Sequence, residues 1–85
     1  MTTPTPEAIQ TRVYQSIADQ FPIGIERLTP QTNLYEHLGA DSLDQVEMIL
    51  RLEEEFEIHI SDQDAEPINT VGDIIEYLSS RKDLT

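Results

Sequence analysis

The chain contains no cysteine, which excludes a disulfide framework and any redox or metal site built on thiolates. Thiol chemistry would need an imported thiol. Basic residues are scarce: five Lys and Arg stand against seventeen Asp and Glu, giving a formal net charge of -12. Such a field repels phosphate backbones and anionic lipid, so neither nucleic acid nor a membrane is an expected partner. Glycine occurs only at Gly24, Gly39 and Gly72, all at expected helix boundaries, so no glycine-rich phosphate cradle can be assembled. No apolar run approaches the roughly 20 residues of a membrane-spanning helix. The start Met1-Thr2-Thr3-Pro4-Thr5-Pro6 has neither the basic opening nor the apolar stretch of a signal peptide. A cytoplasmic protein is expected.

What the sequence does hold is an ordinary folding composition, 38% hydrophobic and 26% charged over 85 residues, enough for one small core. The expectation is a single domain over 1–85, with residues 1–5 as a flexible N-terminus, acting as a monomer. Partners suited to so acidic a surface are basic patches on other proteins, met by steered encounters that weaken with salt.

Helical spacing dominates the pattern. Thr5, Pro6 and Glu7 form a helix start, since Thr can cap, Pro suits the first helical position and Glu complements the positive end. Ile9, Val13, Ile17 and Phe21 then recur every four residues as one apolar stripe, and Pro22 and Gly24 punctuate its end. Residues 22 to about 40 form a long first loop whose spaced apolar residues, Leu28, Leu34 and Leu38 among them, lay it over the core. A short helical turn is expected from Asp62 to Glu66, closed by Pro67. Thr70, with Asp73 three residues on, starts a last helix that turns Ile74, Ile75 and Leu78 inward. Arg81 and Lys82 suit its negative end. The fold class is all-α: a small antiparallel helical bundle of three main helices plus one short helix.

The second helix is long and two-sided. It should run from Asp41 or Ser42 to about Glu57, because Ser42 followed by Gln45 reads as a capping box. At 100° per residue, Met48, Ile49, Leu52 and Phe56 share one face, the natural core contact. Leu43, Val46 and Leu50 fall on another, flanked by Glu47, Glu53, Glu54 and Glu57. By pattern alone that rimmed strip is either a docking surface or a second buried face.

Candidates for chemistry are few. Ser42, after the turn Gly39-Ala40-Asp41, reads either as a capping serine or as an acceptor whose phosphodiester would sit at a positive helix end. It is not in a G-x-S-x-G elbow, and no base is placed beside it, so a serine hydrolase is not indicated. His37 and His59 lack the spacing of a zinc or catalytic site and read as surface or loop residues. Asp62-Gln63-Asp64-Ala65-Glu66 begins like a calcium loop but has Pro67 where glycine is required. Weak, exchangeable cation binding is the most those acids imply. No metal site and no catalytic residue is expected.

The run Leu38-Gly39-Ala40-Asp41-Ser42-Leu43-Asp44-Gln45-Val46-Glu47, followed by Leu52-Glu53-Glu54-Glu55-Phe56-Glu57-Ile58, resembles the acyl carrier protein signature. The resemblance continues through Asp64-Ala65-Glu66 and Thr70-Val71-Gly72-Asp73-Ile74-Ile75 to Tyr77-Leu78, and more loosely back to Ile9 and Thr29-Pro30. It implies that a phosphopantetheinyl transferase, the holo-carrier synthase, moves 4'-phosphopantetheine from coenzyme A onto Ser42. Acyl groups then ride as thioesters on the terminal thiol, in keeping with a chain that has no cysteine.

The resemblance further implies that Asp41, Asp44, Glu47, Glu53 and Glu54 are docking acids, with Val46 and Leu50 as apolar contacts beside Leu43. The partners implied are fatty acid synthases, reductases, dehydratases and acyltransferases with basic docking patches. It places the acyl chain between the second and third helices, where the matching positions are Leu52, Ile60, Ala65 and Ile68, with Leu34 reaching in from the loop. Departures are His37 for a usual Asp, Arg51 for a small apolar residue, Leu34 for a frequent aromatic, and Ser61 and Pro67 around the short helix. Two other readings stand beside fatty acid synthesis: a specialised carrier for a polyketide or other lipid pathway, and an unmodified acidic regulator that binds basic surfaces.

Overall fold

The computed structural model describes residues 4–84. Helix α1 spans Pro6–Gln20, a single 3-10 turn spans Ile25–Arg27, and α2 spans Ser42–Phe56. The short α3 covers Asp62–Ala65 and α4 covers Val71–Ser80. Among the described residues the only β pairing is an isolated bridge between Asn33 and Thr70. The fold is a small antiparallel helical bundle in which α1 packs against both α4 and α2.

Local chemistry explains the helix starts. Thr5 Oγ1 accepts from the Ala8 N–H at 3.2 Å and Pro6 occupies the first turn, satisfying a donor that the helix leaves unpaired. Thr5 is thus the cap of α1 and Pro4 is half-buried; residues 1–3 of the expected flexible segment 1–5 lie outside the described residues. At α4, Thr70 and Asp73 form a reciprocal capping box. Helix α2 ends where Glu57 turns left-handed at φ 53°, which stops the ladder and sends the chain back as the segment 58–60.

The stripe Ile9, Val13, Ile17 and Phe21 meets Met48, Leu52 and Phe56 from α2 and Val71, Ile74 and Leu78 from α4 in one continuous core. Each fully buried large side chain contributes about 1.5–3 kcal/mol. Ile49 and Ile75, both expected inward, are half-buried at the edge of that core.

The long loop is ordered by where its backbone hydrogen bonds go. Leu34 N–H donates to Asn69 O at 2.8 Å, Val71 N–H to Thr32 O at 3.0 Å and Gly72 N–H to Pro30 O at 2.8 Å. The loop is thereby sewn to the start of α4, with Leu28, Thr32 and Leu34 buried beneath it. Gly72 is required by close approach, since a Cβ there would lie 2.8 Å from the Pro30 carbonyl oxygen.

Candidate functional site

The site begins at Gly39, whose φ of +69° is the left-handed turn that favours glycine. The turn delivers Ala40, which donates its N–H to Leu34 O at 3.0 Å, and then Asp41. Asp41, and not Ser42, is the N-cap of α2. Its Oδ1 accepts from the Asp44 N–H at 2.9 Å, while Asp44 Oδ2 accepts from the Asp41 N–H at 3.2 Å.

The expected Ser42–Gln45 capping box is therefore corrected to Asp41–Asp44. The physical reason is strength: an ionised carboxylate accepts more strongly than a hydroxyl, and it complements the helix dipole. The consequence for Ser42 is freedom. It occupies the first helical position, is exposed, and its hydroxyl makes no hydrogen bond among the described residues. The N–H groups of Ser42 and Leu43 are the two donors of the first turn that the box leaves over. A phosphate ester on Ser42 Oγ would meet them at the positive helix end.

One turn further along α2, at Val46, a groove opens between α2 and α3. It has a volume of about 380 Å³, and Val46, Ile49, Leu50, Ile60 and Ala65 form its apolar lining. Gln45, Glu53, His59, Asp62 and Glu66 make it polar at the margins. Of the residues placed here by resemblance, Ile60 and Ala65 line the groove. Leu34, Leu52 and Ile68 are buried in the core and do not line it. Ile49 and His59 escaped the sequence reading. Ile49 stood beside Met48 on the core face of the wheel, and only its half-burial shows that it reaches the edge.

The outer face of α2 is open. Leu43, Val46 and Leu50 are 64%, 55% and 52% exposed, so the strip that pattern left undecided is not a second buried face. Asp41, Glu47 and Glu54 are exposed around it, and Asp44 is half-buried. Glu53 differs from them. Its side chain is only 19% exposed, its Oε2 accepts from the Ile60 N–H at 2.8 Å, and His59 Nδ1 lies 3.2 Å from the same oxygen. Glu53 ties the segment 58–60 to α2 as well as carrying charge. Gln20 braces the head of the helix from α1, its Nε2 donating to Asp44 O at 2.8 Å.

His37 is exposed, and its Nδ1 accepts from the Asn33 N–H at 2.7 Å within the loop. No group of three or more His, Asp or Glu placed to hold a metal occurs among the described residues. No helix among them is long and apolar enough to cross a membrane. A free serine at a helix head, with an apolar groove one turn below it and an acid-rimmed apolar strip beside it, is the design of a carrier module.

Comparison with known proteins agrees. Residues 11–78 match the family described as the phosphopantetheine attachment site. The chain is 47% identical over 75 residues to an acyl carrier protein of Syntrophobacter fumaroxidans, covering 88% of this chain and 93% of that one. It superimposes with a TM-score of 0.78 on the solved acyl carrier protein of Enterococcus faecalis, at 40% identity over 91% of this chain and 98% of the other. The chain belongs to the acyl carrier proteins, a family of carriers of 4'-phosphopantetheine rather than enzymes. Membership implies a phosphopantetheinyl transferase and the enzymes of fatty acid synthesis as partners.

Proposed function

We propose that Ser42 is the attachment residue, and that the whole chain is one cytoplasmic, monomeric carrier domain taking growing acyl chains between the enzymes of fatty acid synthesis. The observation that carries this reading is the freed hydroxyl of Ser42: the Asp41–Asp44 box does the capping, so Ser42 can be esterified without dismantling the helix start. The arm supplies the thiol that the chain lacks. Asp41, Asp44, Glu47 and Glu54 then meet basic residues of the partner while Leu43, Val46 and Leu50 supply apolar contact. Charge complementarity of this kind sets encounter rate and orientation more than affinity.

The groove beneath Val46 serves as cover for the cargo. Each methylene taken out of water is stabilised by about 0.8 kcal/mol, so a medium-length chain gains by lying against Ile49, Ile60 and Ala65. Leu34, Leu52 and Ile68 belong to the buried core and not to this lining.

Incubation with coenzyme A and a phosphopantetheinyl transferase, read by intact mass, tests the assignment. The parent should gain one phosphopantetheine and Ser42→Ala none. A modified Ala variant, or a parent that is never modified, would overturn it.

A further inference from the structure

The two walls of the α2–α3 groove are built very differently. Helix α2 is a 15-residue helix in the bundle, whereas α3 is four residues long, too short to persist by its own backbone bonds. Helix packing in the bundle is carried by α1 against α4 and α2. Beside inward-facing Ala65, the buried Ile60 and Ile68 that flank it, and the Glu53 bond to Ile60 N–H, α3 is tied to the rest by a chain of polar contacts running back to the end of α4.

Tyr77 Oη donates to Asp64 Oδ2 on α3 at 2.8 Å. Arg81 Nη1 donates to that same Tyr77 oxygen at 2.8 Å and to the His59 carbonyl oxygen at 2.7 Å. Asp83 in turn holds the guanidinium, accepting from Arg81 Nε at 2.9 Å and also from Nη2. One guanidinium thus fixes the segment leading into α3 directly and the middle of α3 through Tyr77. Neither Tyr77 nor Arg81 lines the groove.

We propose that Tyr77 and Arg81 are positioning residues, a latch on α3 that sets how far the groove opens and so how long an acyl chain stays sheltered from water. The proposal rests on the reading that the cargo occupies this groove. The protonation states suit it. Burial, and then the bond to Asp64, push the Tyr77 hydroxyl above its ordinary pKa, keeping it a donor, and Asp83 keeps Arg81 charged. Since local opening of a small element costs far less than global unfolding, losing one such tie raises the open population without melting the bundle.

The test compares acetyl and decanoyl thioesters on the full-length holo-protein, cleaved by hydroxylamine. In the parent, decanoyl should be cleaved more slowly than acetyl. Tyr77→Phe, which keeps the ring but removes the bridging oxygen, and Arg81→Gln should each speed decanoyl cleavage roughly twofold to tenfold and leave acetyl cleavage unchanged. Asp64→Asn, which keeps an acceptor, should retain the parent's protection, whereas Asp64→Ala should lose it. Should Tyr77→Phe fail to fold, the exposed Asp64→Ala reads the same tie.

Protection in the parent that survives both Tyr77→Phe and Asp64→Ala overturns the latch and leaves the groove reading standing. Equal acceleration of acetyl and decanoyl cleavage also overturns it, because the effect would not depend on cover. Equal cleavage of the two thioesters in the parent overturns the groove reading, and the latch with it.

Discussion

Asp41 and Asp44 each accept the other's backbone N–H, at 2.9 and 3.2 Å, and Ser42 sits between them without taking part. Asp41→Ala should therefore lower the free energy of unfolding by about 0.5–2 kcal/mol, while Ser42→Ala should change it by less than about 0.5 kcal/mol. Urea unfolding of the two variants measures this. Equal losses would return the cap to Ser42.

Charge reversal at Glu47 and at Glu53 should give different results although both lie on the rim of α2. Glu47 is exposed, so Glu47→Lys should slow acyl transfer with a basic-patched synthase at low salt and leave the melting temperature alone. Glu53→Lys should also cost about 1–3 kcal/mol of stability, because the Ile60 N–H loses its acceptor. Identical melting curves for the two variants would show that the Glu53–Ile60 bond stabilises nothing.

Ala65 is the small residue of the groove lining. An acyl chain bound only by the folded state should raise the melting temperature of the loaded form over the bare holo form. A ring at this position, Ala65→Phe, should remove most of that gain by occupying or overpacking the space. Equal acyl-dependent gains in parent and variant would place the cargo elsewhere.

Asp73 carries a pH dependence whose sign follows from its partners. Its Oδ2 accepts the Asn69 and Thr70 N–H groups, each at 3.0 Å, which hold the carboxyl below its ordinary pKa of 3.8. A depressed folded-state pKa means the contribution is complete above the ordinary carboxylate range and is lost as pH falls through the lowered value. The stability gap between parent and Asp73→Asn should accordingly be widest near neutrality and close below about pH 4. Acid also relieves the general repulsion of the surface, so the gap, not the parent curve, is the measure. A gap that stays constant down to pH 2 would rule out this coupling.

Features set by neighbours along the chain were legible in the sequence. Thr5 with Pro6, and Thr70 with Asp73, are start signals complete within a few residues, and both caps stand where those signals put them. The head of α2 misled by one residue because Ser42–Gln45 and Asp41–Asp44 satisfy the same spacing, and the spacing alone does not say that the ionised acceptor wins. The groove was less legible still. Leu34, Leu52 and Ile68 are apolar in the right stretches, yet whether they face the groove or the core depends on how α3 is laid against α2. Glu53 looked like one more rim acid, and nothing local announces that the left-handed turn at Glu57 brings the Ile60 N–H back to it.

The strip Leu43-Val46-Leu50 is apolar enough to be sticky, and every copy of the protein displays it. At a net charge of -12, however, two copies approach one another as like charges, and the repulsion extends over roughly a Debye length, about 8–10 Å in ordinary salt. Apolar contact acts only at touching distance. The acids therefore work as a filter by sign: they turn a second copy away before its strip can be reached, and admit a basic surface to the same strip. Selection against self and selection for a partner are made by one set of charges, and a carrier that must stay dispersed and yet be grasped in turn needs both.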